Sequence, residues 1–112
     1  MVTHLVLMKP KPDLTETDRR AFIAAFEAAV RDIPQIRGVR IGRRVVHGAG
    51  YERTSPDAAD FLAALDFDDL AALQDYLRHP AHEALGIRFG ECLSAALVYD
   101  FEIVAADELS RL

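Results

Sequence analysis

The chain has 112 residues, 51% of them hydrophobic and 28% charged, which is one domain's worth of globular sequence and not a disordered one. Thirteen Lys and Arg against eighteen Asp and Glu leave a net charge of −5, which argues against a dedicated nucleic-acid binder or a polybasic membrane protein. The single cysteine, Cys92, excludes an internal disulfide and a thiolate-rich metal site.

Val2 to Lys9 is short, rich in β-formers and stopped by Pro10, which predicts a first strand. Alternation puts Val2, His4, Val6 and Met8 on one face and Leu5 and Leu7 on the other. Both faces are apolar, so both need cover. Thr15, three residues before Asp18, resembles a capping box and opens a helix that carries Phe22, Phe26, Ala29, Val30 and Ile33 at helical spacing, with Pro34 closing it. Gly38 to His47 alternates as a second strand. A polar connection from Gly48 to about Asp57 leads to a third strand over Ala59 to Phe67, with Phe61, Ala63 and Leu65 on one face and Leu62 and Ala64 opposite. Asp68 can cap a second helix, whose Leu70, Leu73, Tyr76 and Leu77 form a stripe. His79-Pro80 breaks it, because the residue before a proline leaves the α region, and Pro80 then starts a third helix. On that helix His82, Leu85, Phe89 and Cys92 share a face. Leu93 to Val104 reads as the last strand, with Ala95, Leu97, Tyr99 and Phe101 alternating. Residues 1–104 thus form a single domain and residues 105–112 an acidic C-terminal tail.

The order β-α-β-β-α-α-β is an α+β, ferredoxin-like pattern: a four-stranded antiparallel sheet with its helices on one face. The helices cannot cover the second face. Leu5, Leu7, Leu62 and Ala64 are left on an open apolar surface that marks an interface, so a homodimer through this face is expected. No apolar run has the length of a membrane span, and the Met-Val-Thr-His start enters the first strand without a basic leader. The expected setting is soluble and cytoplasmic, with no membrane and no nucleic-acid partner.

Three stretches carry a family resemblance: Thr-His-Leu-Val-Leu-Met-Lys-Pro around His4, the run Leu73-Gln-Asp-Tyr-Leu-Arg-His-Pro-Ala-His82, and the closing Leu-Val-Tyr-Asp100-Phe. Together they resemble the stress-responsive α/β-barrel (Dabb) family over nearly the whole chain. The resemblance implies a ferredoxin-like monomer whose sheet pairs with a second copy into a dimeric α/β barrel. It implies much less about activity. A plant polyketide cyclase of the family closes a poly-β-ketone by an intramolecular aldol reaction, which needs a base and a donor for the developing enolate. The resemblance carries the base onto His82, its polar partner onto Tyr76, a pocket histidine onto His4, and a carboxylate that could orient His82 onto Asp100. The chain departs from that cyclase where Phe61 replaces a further pocket histidine and Leu93 an indole, so the substrate does not transfer.

The cleft so implied lies between the helices and the sheet, lined by Val6, Met8, Phe61 and Ala63 from the strands and by Phe22, Phe26, Leu85 and Phe89 from the helices. The reading is a Dabb-type protein binding a small apolar or polyketide-like ligand, with His/Tyr-assisted proton transfer of the cyclase or isomerase kind. One alternative is a non-catalytic, stress-related dimer whose histidines only stabilise the core, since a buried imidazole needs a partner for structural reasons alone. Another is a small quinol or haem monooxygenase of the dimeric-barrel superfamily, against which stands the absence of Trp. No cofactor and no metal are expected: His79 and His82 are three apart, but Pro80 interrupts the helix that would align them. Arg37, Arg40, Arg43 and Arg44 form the one basic concentration, read as an anion clamp or as a charged edge strand that blocks stray pairing. Cys92 reads as a buried small hydrophobe, and His47 as a solvated residue.

Overall fold

The computed structural model describes all 112 residues. In chain order they form β1 (Val2–Pro10), α1 (Glu16–Asp32), β2 (Gly38–Arg43), β3 (Phe61–Phe67), α2 (Leu70–Arg78), α3 (Pro80–Cys92) and β4 (Leu93–Glu102), with short 3-10 turns at Gly50–Arg53 and Ala106–Arg111. The strands make one antiparallel sheet in the order β2-β3-β1-β4, the ferredoxin-like arrangement expected from the element order.

The sheet is not closed into a barrel, and this corrects the expected dimeric α/β barrel. β2 and β4 are its two free edges. Four strands are too few to curl around an interior, since a barrel wide enough to be filled by side chains takes about eight.

Register follows from the two-residue period of the strands. His4 lies opposite Leu65 on β3 and Asp100 on β4, and Val6 opposite Ala63 and Val98. Opposed residues share a face, so these six form one patch on the helix side of the sheet, with Val98 and Asp100 at its exposed β4 edge. Leu5 lies opposite Ala64 and Tyr99, and Leu7 opposite Leu62 and Leu97, on the other face. That face has no helix over it: Tyr99 is 50% and Phe101 46% exposed.

Local chemistry sets the helix ends. Thr15 caps α1 by accepting from the Asp18 amide at 3.1 Å. The cap of α2 is Asp69, which accepts from the Ala72 amide at 2.8 Å, and not Asp68, which pairs with Arg37 at 3.0 Å. The strand runs straight to Phe67, so the cap falls on the residue directly before the first helical one. His79 ends α2 and caps α3, its Nδ1 accepting from the Ala81 amide at 3.0 Å, with Pro80 in the first turn where no N–H is needed.

β2 stops at Arg43 instead of reaching His47, and β3 begins at Phe61 instead of Ala59. The two strands end together: Arg43 opposite Phe61 is their last register pair, and one more backbone bond, from the Arg44 amide to the Asp60 carbonyl at 2.8 Å, closes the ladder. Val45, 76% exposed, therefore leads into an irregular connection. There Gly48, at φ +89°, makes a turn open to glycine, and its amide and that of His47 both donate to the Glu52 carboxylate. His47 is exposed but not free, since its Nε2 lies 3.2 Å from the Tyr51 hydroxyl.

The core lies between the helices and the inner sheet face, around Ile33, Leu65, Phe67 and Leu73, with Phe22 and Phe89 stacked beside it at 5.3 Å between ring centroids. α3 rests mainly on α1 and only secondarily on α2, with little contact to the strands. That leaves a space between α3 and the sheet. No helix is long and apolar enough to cross a membrane.

Candidate functional site

The space under α3 is a cavity of about 330 Å³, a volume suited to a small organic ligand. Its lining is mostly apolar. Val6, Ala63 and Leu65 form the floor, Phe26, Leu85 and Phe89 the wall, and Leu77, Gly86 and Val98 complete it, while the polar side chains facing it are His4, Tyr76 and His82.

Each polar group arrives by a different route. His4 stands in the middle of β1, 4% exposed. Its Nδ1 is 2.6 Å from Oδ1 of Asp100, its cross-strand neighbour on β4. A carboxylate only accepts, so Nδ1 carries a proton and donates, and in the neutral form of the ring Nε2 is the lone-pair acceptor. Tyr76 comes from the last turn of α2 and lies between the two histidines, its ring centroid 5.6 Å from His4 and 4.7 Å from His82, with Phe67 at 5.0 Å behind it. His82 comes from the first turn of α3, one residue after the helix is restarted by Pro80 and Ala81.

These groups are aimed at the cavity. Gln35 Oε1 is the one fully enclosed side-chain polar atom without a partner. The Tyr76 hydroxyl and His4 Nε2 bond to nothing in the chain, so both must reach the open space. Burial pushes the Tyr76 hydroxyl up to about 12, which keeps it a proton donor across the physiological range. Burial also holds His82 below the ordinary imidazole range; the Leu77 carbonyl beside it pulls the other way, and the His4 ring adds to the lowering. A ring held this way is neutral at neutral pH and free to accept a proton.

Of the residues expected to line the cleft, Val6, Phe26, Ala63, Leu85 and Phe89 do so. Met8, Phe22 and Phe61 do not. Met8 and Phe61 lie opposite one another on the inner face of the sheet, one step further along than Val6 and Ala63, and do not line the cavity. Phe22 backs onto Phe89 from outside the cavity. Asp100 orients His4 and not His82, because the β1/β4 register sets it opposite His4 while His82 lies across the Tyr76 ring. The sequence reading missed Leu65, Leu77, Gly86 and Val98. Leu65 and Val98 were within reach, since they alternate with named residues on the same faces; Gly86 follows His82 by one helical turn.

Two other expectations can be placed. Cys92 is buried and its thiol is pushed up by burial, with Sγ 3.5 Å from the Asp18 carbonyl. Arg37 and Arg44 are engaged by Asp68 and Asp57, while Arg40 faces the open side of the sheet. No three His, Cys, Asp or Glu side chains are grouped as a metal site would require.

The model of the Dabb family, the stress responsive A/B barrel domain, matches residues 2–103. The chain belongs to this family. Olivetolic acid cyclase of Cannabis sativa is 25% identical over 100 residues, covering 89% of this chain and 94% of the cyclase. Among solved structures, the Arabidopsis thaliana protein At3g17210 is similar with a TM-score of 0.77 and 20% identity, covering 95% of this chain and 98% of that one. A dimeric ferredoxin-like protein from Jannaschia is similar with a TM-score of 0.70 and 24% identity, covering 91% and 98%. The fold of this Dabb chain is thus shared with both.

Proposed function

We propose that the cavity binds a small, mostly apolar carbonyl compound and moves a proton on it, in the manner of a cyclase or isomerase. The observation that carries this reading is the His4–Tyr76–His82 cluster at one end of an otherwise apolar cavity. Each group has a role that its surroundings favour. His4 Nε2, with its tautomer set by Asp100, takes the proton next to the carbonyl. The Tyr76 hydroxyl donates to the oxygen as negative charge develops there. His82, neutral, is the second acceptor through which the proton is relayed. The likeness to olivetolic acid cyclase supports a linear poly-β-ketone as the substrate class.

A β-diketone with an alkyl tail, 2,4-nonanedione, tests the reading. Titration is expected to shift the His4, Tyr76 and His82 ring signals in NMR spectra, and the protein to speed exchange of the diketone's acidic protons in D2O above the buffer rate. Ring signals that stay put at millimolar diketone, with exchange at the buffer rate, would instead leave the histidines as a core-stabilising cluster.

We also propose that a second copy covers the open sheet face. Tyr99 and Phe101 stand exposed there, and Phe101 lines a groove of about 290 Å³ with Leu5 and Leu62; isolated monomers rarely leave such a patch bare. The Jannaschia relative is dimeric. Light scattering is expected to give twice the 12.4 kDa chain mass, and Phe101→Asp to halve it. A wild-type chain that runs at the single-chain mass at micromolar concentration refutes the pairing.

A further inference from the structure

We infer that Gly86 is the aperture of the cavity, and that its missing side chain sets the width of ligand able to reach His82. The inference rests on the functional reading above for its ligand and adds a specificity determinant to it.

Of the twelve residues lining the cavity, only Leu77, Gly86 and Val98 are exposed. They come from α2, α3 and β4, so the mouth lies where these three elements meet. Leu77 and Val98 narrow it with side chains. Gly86 does not. A Cβ placed there would meet no atom within 4 Å, so the space where a side chain would begin is open.

Nothing else in the structure asks for glycine at this position. Gly86 lies inside α3 without a positive φ, since only Gly48 has one. No backbone approaches it closely. A glycine inside a helix weakens it relative to any ordinary residue. The structural return is the gap itself. Gly86 is one turn beyond His82 and next to Leu85, on the face that lines the cavity. A side chain at 86 would stand in the path to the His82 ring. The ligand class admitted is therefore a slim one: an unbranched acyl chain bearing ketones, entering past Gly86, in preference to a compound with a bulky ring at the leading end.

Gly90 supplies the control. It lies one turn further along α3 and also has nothing within 4 Å of a built Cβ, but it does not line the cavity. The test compares wild type with Gly86→Leu, Gly86→Met and Gly90→Leu. Leucine and methionine are good helix formers, so all three variants should melt at or above the wild-type temperature. One readout is the rate at which diethylpyrocarbonate modifies His82, followed by mass spectrometry; it requires no knowledge of the ligand. The other is binding of 2,4-nonanedione. Filling the aperture is expected to slow His82 modification and to weaken diketone binding by about tenfold each, with Gly90→Leu unchanged in both. His82 modified at the wild-type rate in both Gly86 variants overturns the inference, as does equal slowing in Gly90→Leu. If the wild type binds no diketone while the Gly86 variants still shield His82, the functional reading fails and the aperture stands.

Discussion

Phe67→Ala is expected to lower the unfolding free energy by about 3–5 kcal/mol, read from urea denaturation at neutral pH. Phe67 is the one large side chain with no exposed surface. It ends β3 on the inner face, opposite Val2, and its ring lies 5.0 Å from that of Tyr76. Removing it deletes a buried ring and leaves a void that α2 cannot close, because Asp69 fixes the start of that helix two residues later. A domain of this size is stable by about 5–15 kcal/mol, so the loss takes a large share of the total. Phe67→Leu, which keeps most of the volume, is expected to cost less than about 1.5 kcal/mol. A loss below about 2 kcal/mol for the alanine variant would show that Tyr76 and its neighbours collapse into the space, and the site would then be softer than the geometry implies.

The faces of β1 were legible because side-chain direction in a strand has a period of two and needs no partner to be read. His4, Val6 and Met8 on one side and Leu5 and Leu7 on the other follow from alternation alone, and the register bears this out. Whether the four-stranded sheet becomes part of a closed barrel was not legible, because closure depends on how its edges pair and not on any local pattern; the sheet has two free edges. The same distinction separates the site residues. Tyr76 and His82 sit on either side of a break at His79-Pro80 that proline chemistry makes plain. The partner of Asp100 was not plain, since it depends on the register between residues 96 positions apart. Phe61 and Met8 lie on the correct face but one step beyond the cavity, a longitudinal fact that a period-two pattern does not contain. Gly86 carries its information in the absence of atoms, which only the packing around it can reveal.

His4→Ala is expected to lower the proton-exchange rate on 2,4-nonanedione by roughly 10²–10⁴-fold, the usual contribution of a positioned general base. The base is whichever imidazole holds the free lone pair. Asp100 lies 2.6 Å from His4 Nδ1, and that contact assigns the proton to Nδ1 and the basic site to Nε2. Asp100→Asn is expected to cost roughly 10–100-fold, because an amide can donate to Nδ1 and drive the proton onto Nε2, where it blocks the base. Asp100 touches the cavity only through His4, so it is a positioning residue, and the two effects should not add. The His4→Ala/Asp100→Asn double variant is expected to match His4→Ala within about threefold. The corresponding pair with His82 should behave differently: His82→Ala and Asp100→Asn act on separate groups and their losses should multiply. The cycle therefore decides between two assignments of the base. If Asp100→Asn is silent in the His82→Ala background and costs its full factor in the His4→Ala background, the carboxylate serves His82 during reaction, and the base moves to the third helix.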